Sequence, residues 1–114
     1  MRTALTIAGS DPSGGAGIQA DLKTFHAHGV FGMSVITAVT VQNTQKVSGV
    51  QEINPDIVRD QILCLFEDIH IDAVKIGMVS GIKLIEAIAE TLGKINLPPV
   101  VVHPVMIPKA GTPF

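Results

Sequence analysis

The chain has 114 residues, 8 basic and 10 acidic side chains, a formal net charge of −2 and a positive mean hydropathy. That length corresponds to about one domain, and the absence of Trp, Tyr and any Lys/Arg cluster argues against nucleic acid, whose recognition needs base stacking and phosphate neutralisation. No apolar run approaches the roughly 18 residues of a membrane span, and Ala4 to Ala8 is too short for the apolar part of an export signal, so a cytoplasmic protein with no membrane partner is expected.

The segments alternate between strand-like and helix-like patterns. Ala4 to Ala8 reads as a short strand, and Ile18, Leu22, Phe25 and Gly29 share one face of a helix from about Ala16 to His28. The β-branched run MSVITAVTV predicts one buried strand over Met33 to Val41, followed by turn formers and a short β-like piece ending near Ile53. Asn54 then caps a helix that begins at Pro55, where the missing N–H costs nothing, and runs to Asp68 with Ile57, Ile62, Leu65 and Phe66 apolar. Within it lies the lone cysteine, Cys64 in ILCLF, which can make neither an internal disulfide nor a cysteine zinc cluster and reads as a buried small hydrophobe. A third strand over Ala73 to Ile76, a third helix over Gly81 to Gly93 and a fourth strand over Val100 to Val102 complete the pattern. Strands without in/out alternation, separated by helices, predict a parallel α/β sheet covered on both faces.

In such a sheet, ligands sit outside the carboxyl ends of the strands, here the loops Gly9 to Gly17, Gln42 to Thr44, Gly77 to Ser80 and His103 to Gly111. The first of these, GSDPSGGAG, holds four glycines. It is not a Walker A loop, since Gly15 stands where the lysine belongs, and it fits the dinucleotide fingerprint poorly because six residues separate Ala8 from Gly15. The remaining reading is a loop whose backbone approaches a flat polar ligand, with the N-terminus of the helix near Ala16 supplying N–H groups. A plain strand-to-helix turn is the alternative, though it needs fewer glycines.

The run ALTIAGSDPSGGAGIQADLKTF resembles the opening of the hydroxymethylpyrimidine/phosphomethylpyrimidine kinases of thiamin biosynthesis, members of the ribokinase-like superfamily, and GMSVITAVTVQNT and VKIGM match later blocks of the same pattern. The resemblance runs from Ala4 to about Gly111 and implies a ribokinase-like α/β fold, with residues 1–114 forming the N-terminal part of one kinase domain. It implies ATP-dependent phosphorylation of 4-amino-5-hydroxymethyl-2-methylpyrimidine and of its monophosphate, with ATP and Mg²⁺ serving the complete enzyme. It also implies a pyrimidine pocket formed by Gly9, Asp21, Gln42, Met78 and Val105. Residue chemistry is compatible with each polar role. A carboxylate can accept from an aminopyrimidine, although an acid early in a helix is also favoured by the dipole alone. The Gln42 amide both donates and accepts, and the Met78 thioether packs on aromatic rings, although methionine is commonly core. Lys75, inside a strand, reads as a side chain snorkelling from the sheet and stands outside the expected site. His26 and His28, two apart on a helix, do not share a face, and His70 reads as a surface residue.

The chain departs from the family pattern where an Asp-Pro-Val-Met-like run is expected, showing His103-Pro104-Val105-Met106 and then Lys109-Ala110-Gly111-Thr112. An imidazole suits softer metals better than Mg²⁺, so no metal ligand is assigned, and a strand-end histidine bonded to backbone is the expected role of His103. The family's nucleotide loops and catalytic base would follow Phe114, so no catalytic residue is expected in this chain. Two alternatives stand beside the pyrimidine kinase: a pyridoxine or pyridoxal kinase of similar sequence, and a non-catalytic pyrimidine-binding or structural remnant. A sheet ending at its fourth strand also leads to the expectation of a homo-oligomer or of pairing with a complementary C-terminal fragment.

Overall fold

The computed structural model describes residues 1–103; Val105, one of the expected pocket residues, lies outside them. Strands β1 (Thr3–Ala8), β2 (Phe31–Ile36), β5 (Ala73–Ile76) and β6 (Val100–Val102) form a four-stranded sheet in the order β2-β1-β5-β6, every pair parallel. Strands β3 (Ala38–Gln42) and β4 (Val47–Glu52) form a separate antiparallel ribbon, and the helices are α1 (Gly17–Ala27), α2 (Pro55–Asp68) and α3 (Ile82–Leu92).

The two faces of the sheet are distinguished by register. Leu5 and Ile7 of β1, Met33 and Val35 of β2 and Val74 of β5 join Val58 and Ile62 of α2 and Leu84, Ile88 and Leu92 of α3 in one buried core. The opposite face carries Ala4, Thr6 and Gly32. A side chain at Gly32 would meet Phe25 at 2.9 Å and Leu22 at 3.0 Å, which places α1 there. Helices therefore lie on both faces, as the sequence predicts, with α1 packed on β1 and β2 while Val101 of β6 stays exposed on that side, and β1, between β2 and β5, is buried on both sides over Ala4 to Ala8.

The expected strand over Met33 to Val41 is a correction. The chain leaves the sheet at Thr37, whose N–H donates to the Ala8 carbonyl and whose carbonyl accepts from Ile53, each at 2.9 Å. The Gln61 side chain holds the end of β2 in place of a further strand, accepting from Ile36 N–H at 3.1 Å and donating to its carbonyl at 3.0 Å. Everything from Ala38 to Glu52 is consequently a hairpin beyond the sheet.

The helix ends follow local chemistry. Asn54 Oδ1 accepts from Asp56 N–H at 2.8 Å, with Pro55 in the first turn, and Gly93 closes α3 through a 3.0 Å bond to the Ala89 carbonyl. Cys64 is a second correction, because it is exposed on α2 rather than buried. Ile62 faces the core, and a residue two positions on is turned by about 200° around the helix axis. Among the described residues, no helix is long and apolar enough to cross a membrane.

This contrast predicts opposite outcomes two residues apart. Ile62→Ala, at a fully buried position, should cost about 2–5 kcal/mol in urea unfolding, whereas Cys64→Ser should stay within about 0.5 kcal/mol of the wild type.

Candidate functional site

The strand order sets the location of the crevice. From β1 the chain crosses through α1 on one face to reach β2, and α2 and α3 then lie on the other face on the way to β5 and β6. The loops after β1 and β5 thus depart toward opposite faces from adjacent strands, the arrangement that opens a ligand crevice in an α/β sheet. Gly9 stands at the end of β1 and Gly77 and Met78 at the end of β5. The two strands approach so closely that a Cβ on Gly77 would stand 2.8 Å from the Ala8 Cβ. Met78 is 41% exposed, which leaves its thioether on the rim.

The glycine loop is shaped by the close packing of its backbone against α1. Ile18 N–H donates to the Gly9 carbonyl at 3.0 Å, and Gly17, at φ +61°, has no room for a side chain because its Cβ would lie 2.4 Å from that same oxygen. Asp11, only 3% exposed, fills the loop from within, its Oδ1 accepting from the Ser13 hydroxyl at 2.6 Å and from Ser13 N–H at 2.9 Å. The Ser13 hydroxyl and then the backbone N–H groups of Ser13, Ala16 and Gly15 hold the Asp11 carboxyl below its ordinary range despite the opposing effect of burial. Its own N–H donates to Gln19 Oε1 at 2.7 Å. The Asp11 carboxylate thus pins the loop at Ser13, whereas α1 starts without a side-chain cap. The signal was the Asp-Pro-Ser triplet, whose acid can fold back on the residue two ahead.

Asp21 sits on α1 one turn beyond Gly17 and faces the sheet. Its Oδ2 accepts from the Thr6 hydroxyl at 2.6 Å and its Oδ1 from the Lys75 ammonium at 2.5 Å, with side-chain exposures of 12% for Asp21 and 32% for Lys75. Thr6 and Lys75 are register partners on β1 and β5. The reading of Lys75 as a snorkelling side chain is thus replaced by an ion pair that ties α1 to β5 across β1. A lysine in the otherwise apolar strand AVKI was the available signal, because a charge at such a position needs a partner.

Gln42 ends β3 in the hairpin, not a strand of the sheet. The base of the hairpin is nevertheless fixed to the crevice, with Ser10 N–H donating to the Ala38 carbonyl at 2.9 Å and the Thr40 hydroxyl to the Ser10 carbonyl at 2.8 Å. Val41 pairs with Gly49 and Gln42 with Val47, so the extra residue Ser48 belongs to β4 and β3 keeps its alternation. Gln42 thus lies on the same ribbon face as Thr40, the face toward the glycine loop. At the other leg of the hairpin, the Glu52 carboxylate lies over Gly81, where a Cβ would stand 2.8 Å from Oε1, so the hairpin also reaches the loop that carries Met78. His103 follows β6, exposed, with its backbone N–H donating to the Ile76 carbonyl at 2.8 Å. His26, His28 and His70 are exposed.

The described residues contain no group of three or more His, Cys, Asp or Glu side chains that could hold a metal. Two surface depressions lie away from the crevice. One, of about 160 Å³, is between Arg59 and Leu63 of α2 and Ala87 and Thr91 of α3. The other, of about 640 Å³, is at the opposite end of the sheet beside Ile71 and Pro99.

Gly17→Ala and Gly29→Ala separate backbone strain from collision. Both positions have positive φ, but nothing lies within 4 Å of a Cβ at Gly29. The Gly29 change should cost about 1–2 kcal/mol from strain alone, and the Gly17 change clearly more in the same urea titration. For Asp11, a folded-state pKa below the unfolded one means a stabilisation present above the unfolded value of about 3.9 and lost as pH falls through the folded value. The stability advantage of wild type over Asp11→Asn should hold at neutral pH and shrink in chemical unfolding curves recorded below about pH 4.

The family model described as phosphomethylpyrimidine kinase matches residues 11–114. Over 111 residues, the chain is 54% identical to the hydroxymethylpyrimidine/phosphomethylpyrimidine kinase of Escherichia coli, a match covering 97% of this chain and 42% of that protein. It superposes on the crystal structure of a phosphomethylpyrimidine kinase from Clostridium difficile with a TM-score of 0.94 at 57% identity, covering 99% of this chain and 49% of the other. A pyridoxal kinase from Bacillus subtilis, solved with ADP, gives a TM-score of 0.84 at 43% identity, covering 96% of this chain and 43% of the other. The chain spans less than half the length of each of these relatives. With the ribokinase-like architecture, the glycine loop and the VKIGM strand end in place, this chain belongs to the phosphomethylpyrimidine kinase family.

Proposed function

We propose that residues 1–114 are the N-terminal part of a kinase domain that phosphorylates a hydroxymethylpyrimidine and then its monophosphate with ATP, and that this part supplies the pyrimidine side of the site. The observation that carries the reading is the meeting of Gly9 and Met78 at adjacent strand ends, with the hairpin that bears Gln42 pinned beside them by Ser10 and Thr40. Asp21 lies below that rim, and Val105 belongs to the same proposed pocket. A flat heterocycle would stack on the thioether and meet the donor and acceptor of the Gln42 amide.

Identity favours the pyrimidine over the pyridoxal ring: relatives and structures named for pyrimidine kinases reach 54% and 57%, whereas the pyridoxal kinases reach 43% and 37%. The whole protein would use ATP as phosphoryl donor, with Mg²⁺ to neutralise its phosphates. In that setting the phosphoryl acceptor is held by this part, and the γ-phosphate is positioned and its charge stabilised by the remainder. A cytoplasmic location suits such a biosynthetic role. The outer edge of β6, with Val101 and Val102 exposed, supports association with a second copy or a complementary fragment, burying more than roughly 1,000 Å².

Calorimetric titration of the chain with the hydroxymethylpyrimidine tests the reading. Binding should weaken by about 1–2 kcal/mol in Gln42→Ala, and unchanged affinity would remove Gln42 from the site. An ATP-dependent turnover assay on the same preparation separates the classes: turnover marks an enzyme, binding alone a pyrimidine-binding module, and neither a structural remnant.

A further inference from the structure

The Lys75 ammonium is a donor group at the crevice to which the family resemblance gives no part. It projects from β5 two residues before Gly77, about 7 Å below the rim at the rise of a strand. Asp21 is one helical turn below the start of α1, a similar depth of about 6 Å. The pair therefore forms the floor of the crevice between β1 and β5, with Ser34 beside Thr6 on the same sheet face.

The two partners are not equally open. Each Asp21 oxygen already accepts a hydrogen bond, one from Thr6 and one from Lys75, and the carboxylate is the more enclosed of the two groups. Lys75 has the greater exposure, and its three-proton ammonium makes a single hydrogen bond among the described residues. Of the two groups, the ammonium is the one with surface and donor capacity left for a ligand. Because Asp21 balances its charge, the pair presents a donor without a net cation, a match for a neutral heterocycle with lone pairs and a poor one for a free anion.

We propose that Lys75 is the ligand-contacting group at the crevice floor, donating to an acceptor atom of the ring or of its hydroxymethyl arm, and that Asp21 is the positioning residue that aims it. This rests on the pyrimidine reading of the crevice and changes which side chain makes the contact. The roles divide as donor and anchor: Thr6 and the ammonium fix the carboxylate, and the carboxylate fixes the direction of the remaining N–H bonds.

The test is an NMR titration of the isotopically labelled chain with the hydroxymethylpyrimidine, following the Lys75 side-chain nitrogen, the Asp21 carboxyl carbon and the amides of Gly9 and Met78. The expected result is that the Lys75 nitrogen and the two amides shift along one binding curve. Amides that shift while the Lys75 nitrogen stays still overturn the Lys75 assignment and leave the crevice reading standing. If no signal moves, both are overturned. Lys75→Met, with its amide spectrum checked for a retained fold, should bind roughly tenfold more weakly or worse, and Lys75→Arg should recover part of that loss. Wild-type affinity in a folded Lys75→Met chain also overturns the proposal, and if that variant does not fold, the wild-type titration decides alone.

Discussion

The placement of β1 governs the molecule. Lying between β2 and β5 and buried on both faces, this strand must be apolar or internally satisfied along its whole length. Its connections and those of β5 leave on opposite sides, so a gap opens at their carboxyl ends. The glycine loop, Gly77 and the hairpin base are all responses to that gap. Gly77 permits β5 to approach Ala8, Gly17 permits α1 to start against the Gly9 carbonyl, and Thr37 turns the chain out of the sheet by bonding back to Ala8.

Two carboxylates stabilise this end of the sheet in different ways. Asp11 accepts from the hydroxyl and the N–H of Ser13 and so fixes the shape of its own loop. Asp21 reaches across to another element and holds the only charged side chain of β5, with Thr6 as the third member. Desolvating such a pair offsets much of its attraction, so its value lies more in fixing geometry than in net stability, while removing one partner alone leaves the other uncompensated. That asymmetry explains how an ion pair can persist where apolar packing would serve stability equally well.

Much of the fold was legible in local chemistry. Asn54 with Pro55, and Gly93 after Leu92, marked helix ends, and the apolar strands over Ala4 to Ala8 and Ala73 to Ile76 needed no tertiary information. The break in MSVITAVTV was not legible, since β-branched residues continue through it and the bonds that turn the chain at Thr37 come from Ala8 and Ile53, distant in sequence. Cys64 was misread because an apolar run on an amphipathic helix contains outward positions as well as inward ones. For the site, the motif led to Gly9, Gln42 and Met78, but depth was invisible: only the register of Thr6 with Lys75 reveals that Asp21 is anchored beneath the rim.

The proposed ligand seat lies at the carboxyl ends of β1 and β5. Intermolecular nuclear Overhauser effects between the ring methyl of a hydroxymethylpyrimidine and the methyl groups of the chain test it most directly. Contacts to the Met78 and Ala8 methyls are expected. Contacts confined to Leu63 and Ala87, in the groove between α2 and α3, would contradict it.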